Sequence, residues 1–508
     1  MKIIDFPKVQ IGFGTGKTTW QVFTFCLILG LNISFSLPVL SQNLPNSDFE
    51  QLCDSSSSGF CHWKVSWGKD STCRPAISTF NHCLSINGAK KTSVGFAENQ
   101  ISLDTSSGLR VVKLSGKIKS QEVQGKGAGL NLAFYDQEGN FLSNKNMGYG
   151  SFAYVKNTND WKNYEIASVC PDKTASLKIG AILYGKGTAY FDDFSLSVMK
   201  ADNQTTDSSA IRYIHSACDI IKKNSIVRDS IDFNLLQKQA LKICGNPATD
   251  QEKHLSVEYM ITALRKAGDP HSFLIYPDEW KLWKNDSSEN ANIDFPKYKL
   301  VSHCGYILIP HFDGGNEKLI RAFIDSIHHA LNYLQDQNIV GWIIDLRENT
   351  GGNMKPMIAG LGPLFTGEKL GSLYNVEGKK QSWHFSNDRF FWDDDDENLI
   401  VAPLHLRKQI PIAVLTGNKT GSSGEIVAIS FIGNKNTRSF GQPTWGLTTG
   451  NGSFTLEDGA VLQLASTFMA DRNGKIYKGP IPPDELVEAK AGADFELLSA
   501  VKWLENKK

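Results

Sequence analysis

The stretch TGNKTGSSGEIVAISF, residues 416–431, reads as a strand end, a turn of small residues and the first turns of an apolar helix. Ser422 falls where a helix N-cap belongs, and Glu425 follows at the spacing of a capping box, so a purely structural role accounts for both. Chemistry at Ser422 would require more: a base to take the hydroxyl proton, and N–H donors aimed at the oxyanion formed on attacking a carbonyl. The helix start supplies the second need. Its unpaired N–H groups and positive dipole end make the N–H of Ser423 a candidate oxyanion donor. Gly351 and Gly352, in DLRENTGGN (345–353), offer a second, because a glycine pair directly after a buried strand lets backbone approach a substrate; the same pair would also serve a tight strand-to-helix turn. For the base, His271 lies in AGDPHSFLIYP (267–277), where Gly268 and Pro270 stop a helix and a turn leads into an extended segment. His303 and His311 flank the apolar run CGYILIP and are weaker candidates.

Other patterns are decoys. GFGTGKTT (12–19) imitates a phosphate-binding loop, but the position five before Gly16 is Ile11, and no strand delivers the stretch to a folded domain. The run Asp393–Asp396 followed by Glu397 lacks the alternating oxygen spacing of a calcium loop and reads as a solvated loop. No C-x-x-C zinc spacing occurs, and the serine chemistry considered above requires neither a metal nor a nucleotide, so no cofactor is expected. Lys plus Arg and Asp plus Glu are balanced at 53 each, which gives no overall field toward nucleic acid or an anionic membrane.

At 508 residues the chain is multidomain. Residues 1–41 read as a signal peptide: Lys2, Lys8 and Lys17 precede an apolar stretch from Trp20 to Phe35, and Val39-Leu40-Ser41 resembles a signal-peptidase site. Export to a periplasmic, cell-surface or secreted location is expected. A membrane partner enters only if this segment stays uncleaved as an anchor, a reading disfavoured by Asn32 and Ser34 inside the apolar stretch. Setting Cys26 aside leaves eight cysteines, read as disulfides in an oxidising compartment, with a Cys218–Cys244 bridge able to pin two helices. Residues 42–200 hold alternating segments broken by Gly, Asn and Ser (LRVVKLSGKI, GLNLAFYD, SLKIGAILYG, TAYFDDFSLSV), the pattern of a β-sandwich. Trp63 and Trp67 are read as its core. Residues 201–210 form a polar linker, 211–300 a small helical cap ending in the His271 motif, and 301–508 an α/β core with both sheet faces covered.

The motifs GYILIP, GWIIDLRENTGGN, AVLTGNKTGSSGEIVAISF, NTRSFGQPTWG and IYKGPIPPDE occur in the order found in the tail-specific, or C-terminal-processing, serine peptidases, and the chain from about residue 208 onward resembles that family. The resemblance implies a crotonase-like core and makes Ser422 the nucleophile. The main branch places a base lysine directly after a P-T-x-G turn, whereas Pro443-Thr444-Trp445-Gly446 is followed here by Leu447, leaving Lys419 as the nearby lysine in sequence. The branch that includes the tricorn core and the nisin-resistance protein takes its base from a histidine before the core, which implies His271, with Ser272 as a helper. About thirty residues separate that motif from CGYILIP, too few for a PDZ domain. A glutamate that often precedes the final P-D motif is missing, with Tyr477 near its place, so the group orienting His271 stays open. SDFEQ, WKNYEI and YFDDFSLSV give residues 42–200 a resemblance to the galactose-binding-like jelly roll, which adds carbohydrate to peptides and proteins as a partner class. Taken together, the chain reads as an exported serine endopeptidase working through an acyl-enzyme. The alternative is a non-catalytic protein of the same fold that carries an apolar ligand or binds surface glycans.

Overall fold

A computed structural model describes residues 39–42, 44–51, 61–67, 76–80, 83–104, 108–148, 154–285, 294–393, 399–488 and 492–507. Residues 1–38, Cys53, Cys73 and residues 394–397 lie outside them, and with them most of the expected signal peptide, the 12–19 decoy and most of the acidic run. Asp393 itself is engaged, accepting from the Ser382 N–H at 2.9 Å and pairing with His384 at 2.6 Å.

The N-terminal part is a nine-stranded antiparallel arrangement dominated by two long strands, Arg110–Tyr135 and Ser176–Lys200. The sequence suggests four strands here; each expected pair is one continuous strand. Glycines make this continuity feasible. Gly125, Gly127, Gly185 and Gly187 take positive φ at the register shifts, and a Cβ on Gly185 would lie 1.8 Å from the Gln124 carbonyl oxygen. Trp63 fills the core against Phe49 and Phe194, with ring centroids 4.7 and 5.2 Å away, and donates its indole N–H to the Asn46 carbonyl at 3.0 Å. Trp67 departs from the expectation: on an edge strand, it is 40% exposed.

The polar segment 201–210 is docked rather than loose. Thr205 is buried, its hydroxyl donates to the Gly245 carbonyl at 2.7 Å, and Asp207 caps the helix Ser208–Asn224 through the N–H groups of Ser209 and Ala210. That helix packs with Phe233–Ala240 and Asp250–Lys266 on the strand Val461–Asp471 through Leu236, Val257, Met260, Ile261, Leu462 and Leu464. Each fully buried side chain of this kind contributes about 1.5–3 kcal/mol. A second seam, Val111, Ala167 and Met199 against Ile243 and Leu255, joins the helices to the N-terminal sheet. Cys61 is disulfide-bonded, but Cys170, Cys218 and Cys244 are thiols, so the expected Cys218–Cys244 bridge is absent; Cys244 instead contacts the Ser256 hydroxyl at 3.4 Å.

The C-terminal part contains two sheets. In the first, Cys304–Leu308, Gly341–Asp345, Ile412–Thr416, Thr437–Gly441 and Glu485–Leu486 run parallel, with Lys297–Val301 antiparallel at the edge. Every residue of Gly341–Asp345 and Ile412–Thr416 is buried, as parallel strands covered on both faces require. The helices Glu317–Gln335, Met354–Leu361 and Ser423–Phe431 contribute to the larger core, and Phe495–Glu505 packs with Ile343, Ala413 and Phe440. The second sheet is built around Val461–Asp471, which pairs with Phe273–Ile275, Lys369–Asn375 and Thr449–Thr455. This strand brings the end of the helical part beside the turn that follows Ile412–Thr416.

Candidate active site

Ser422 begins the helix Ser423–Phe431 at φ 51° and ψ −118°, a strained conformation for a residue with a side chain. The turn is held from both sides. The Glu425 carboxylate, fully buried, accepts from the Ser422 N–H at 2.9 Å, the Thr444 hydroxyl at 2.6 Å and the Gly446 N–H at 2.8 Å, tying the helix start to the 443–447 turn. Burial raises the Glu425 pKa, and these hydrogen bonds oppose the rise. With the Ser422 N–H anchored this way, its hydroxyl faces the imidazole of His271, Oγ to Nε2 at 3.0 Å.

His271 arrives on a turn built by Asp269. That carboxylate, completely buried, accepts from the N–H groups of His271 and Ser272 at 2.9 and 3.1 Å and from the Ser272 hydroxyl at 2.5 Å. The Ser272 hydroxyl in turn accepts from the Ala465 N–H at 2.9 Å. Ser272 therefore fixes the turn to Val461–Asp471 and makes no contact with Ser422. The other imidazole nitrogen, Nδ1, lies 2.8 Å from the Thr449 hydroxyl, and Asn451 donates to the His271 carbonyl at 3.2 Å. Burial lowers the His271 pKa below the ordinary 6.5, with the Asp269 charge pulling the other way, which favours the uncharged ring able to accept a proton.

The glycine pair closes the third side. Gly351 takes φ +117°, and a Cβ there would lie 2.8 Å from Ser422 Cβ and 3.2 Å from Ser423 N. Its N–H is occupied, donating to Asn349 Oδ1 at 3.0 Å. Asn349 is fully buried, donates to the Pro310 carbonyl at 3.2 Å, and accepts from the Gly421 N–H at 3.0 Å through its own carbonyl. Gly352 is exposed, and its carbonyl accepts from the Ser423 hydroxyl. Among the described residues, the N–H groups of Ser423 and Gly352 have no intramolecular partner. The first of these follows Ser422 in the chain, and the second belongs to a residue joined to Ser423 through its carbonyl.

The remaining candidates lie elsewhere. Lys419 pairs with Glu348 at 2.7 Å on the surface, His303 with Glu505 at 3.6 Å, and His311 with Asp313 at 3.3 Å. The Tyr477 hydroxyl donates to Asp471 at 3.0 Å and does not reach His271. Leu447 comes to 3.6 Å from where a Cβ on Gly421 would lie, and its apolar side chain offers no proton acceptor. Sequence reasoning missed Thr449, Asn451, Asn349 and Asp269. Only Asp269 carried a signal, an aspartate two residues before His271 in a turn. No group of three or more His, Cys, Asp or Glu residues suited to a metal ion occurs among the described residues.

Residues 303–487 match the model of peptidase family S41. The nisin-resistance protein of Lactococcus lactis subsp. lactis is 28% identical over 299 residues, covering 58% of this chain and 87% of that protein. A carboxyl-terminal-processing protease of Synechocystis sp. is 27% identical over 186 residues, 36% of this chain, and the match spans only 38% of the relative's length. Among solved structures, a lipoprotein from Streptococcus agalactiae aligns at 26% identity with a TM-score of 0.49, covering 60% of this chain and all of that one. The five motifs, the parallel sheet that carries them and the family match fall on the same segment, and residues 303–487 of this chain are similar to peptidase family S41.

Proposed function

We propose that the chain is an exported serine endopeptidase in which His271 takes the proton of Ser422 as the hydroxyl oxygen attacks a peptide carbonyl. The protonated imidazole then gives that proton to the departing amine, leaving an acyl-enzyme on Ser422 that an incoming water, deprotonated by His271, hydrolyses. The N–H groups of Ser423 and Gly352 receive the oxyanion, with Gly351 keeping the approach clear. Losing one such donor typically costs about a hundredfold or more in rate. The observation that supports this reading above all others is the 3.0 Å approach of His271 Nε2 to Ser422 Oγ across 151 residues of sequence, on a strained turn whose backbone is anchored independently of the hydroxyl. A helix cap alone would not turn its hydroxyl toward an imidazole. The N-terminal sequence supports export, and the family supports a peptide or protein substrate.

A serine-directed fluorophosphonate tests the reading. Labelling of the folded protein that disappears in Ser422→Ala and falls steeply in His271→Ala is the expected result; absence of labelling in the folded wild type would sink it.

A further inference from the structure

We infer that Thr449 is the positioning residue for His271, filling with a neutral hydroxyl the place that a carboxylate holds in a charged Ser-His-acid triad. This rests on the assignment of His271 as base. The strand Thr449–Thr455 grips His271 at two points, the Thr449 hydroxyl on Nδ1 at 2.8 Å and the Asn451 amide on the main-chain carbonyl at 3.2 Å, with a shift of register against Val461–Asp471 between residues 450 and 451. Thr449 is 7% exposed, so water does not readily replace its hydroxyl. For Nε2 to accept the Ser422 proton, the ring hydrogen must sit on Nδ1, where Thr449 Oγ1 stands at 2.8 Å and the Thr449 main chain adds a second hydrogen bond to the ring.

Charged groups nearby are committed elsewhere. Asp269, on the same turn, is saturated by the N–H groups of His271 and Ser272 and by the Ser272 hydroxyl. Arg265, from the preceding helix, reaches the Ser272 carbonyl at 3.4 Å, and Glu425, from the helix after Ser422, is saturated by Ser422, Thr444 and Gly446. None of them bonds Nδ1. Thr449 therefore orients the ring without stabilising an imidazolium by charge, and this sets a low acid limb for the base at the expense of transition-state stabilisation.

Three substitutions separate orientation from mere packing. Thr449→Val keeps the shape and the main-chain contact but removes the hydroxyl acceptor on Nδ1; it should lower kcat by roughly tenfold to a hundredfold with KM little changed, while Thr449→Ser restores most of the rate. Thr449→Asp adds a charge and should move the acid limb of kcat/KM upward by about one unit or more. In parallel, nitrogen NMR of the imidazoles, with His271 identified by its loss in His271→Ala, should show the Nδ1–H tautomer in the wild type and a mixed or reversed tautomer in Thr449→Val. Wild-type kcat and tautomer in Thr449→Val would overturn the inference, as would equal losses in the Val and Ser variants with no tautomer change. The NMR readout needs no turnover, so a wild type that fails to cleave or label defeats the peptidase assignment while the role of Thr449 is still decided.

Discussion

Replacing Gly351 by alanine probes the packing that holds the nucleophile. The added Cβ would stand 2.8 Å from Ser422 Cβ, 3.1 Å from the Gly421 carbonyl oxygen and 3.2 Å from Ser423 N. Carbon atoms sit comfortably at about 3.5–4.0 Å, so Ser422 or residue 351 must yield by about 1 Å. Neither neighbour is a flexible side-chain end, because Ser422 is held by Glu425 and residue 351 by Asn349. A misplacement of about 1 Å at reacting atoms costs on the order of a hundredfold in rate. The φ of +117° adds backbone strain of about 1–3 kcal/mol for a residue with a Cβ. Gly378 is the control: it too has positive φ, +80°, but a Cβ there meets nothing within 4 Å. Gly378→Ala should therefore lose a little stability and keep its activity. The assay is kcat/KM on a fluorogenic peptide alongside urea unfolding of both variants. Full activity and wild-type stability in Gly351→Ala would refute the argument that this glycine exists to make room for Ser422.

Further expectations follow from the same geometry. Because burial lowers the His271 pKa, the acid limb of kcat/KM should have its midpoint below 6.5, and a midpoint above 7 would contradict the neutral-ring account. Glu425 has a raised pKa in the folded protein, so the native state binds its proton more tightly than the unfolded chain. Stability contributed there is greatest below 4.5 and declines as pH rises through the folded-state value; urea midpoints should show Glu425→Gln flattening that slope, and an unaltered slope would count against it. Cys170 and Cys244 have thiols pushed up to about 12 and about 11 by burial, so alkylation mapped by mass spectrometry should modify them only after unfolding; ready modification of the native protein would show them accessible.

Much of the backbone of the candidate site was legible because it depends on devices that leave marks in sequence. The strand Ile412–Thr416, the small-residue turn and the helix from Ser423 follow from an apolar run, glycines and a capping pair, and the stop signals Gly268 and Pro270 put His271 on a turn. Thr449 left no such mark, since threonine is common in strands and its role comes from a neighbour 178 residues away. Which of Gly351 and Gly352 keeps its N–H free was equally hidden, because it turns on where the Asn349 side chain points. Elsewhere, glycine was read as a break where it allows a long strand to bend, and the polar segment 201–210 was read as a linker where Thr205 and Asp207 bond to residues 245–248. An even cysteine count could not distinguish bridges from thiols buried at Cys218 and Cys244, because pairing depends on separation in space.

The central claim is that an imidazole and a hydroxyl far apart in sequence act as one unit. Its most direct test is kcat/KM on a cleavable peptide for Ser422→Ala, His271→Ala and the double variant, each checked for native unfolding. The account predicts that each single change costs a thousandfold or more and that the double variant is scarcely worse than either. Retained cleavage in His271→Ala, or losses that multiply in the double variant, would contradict it.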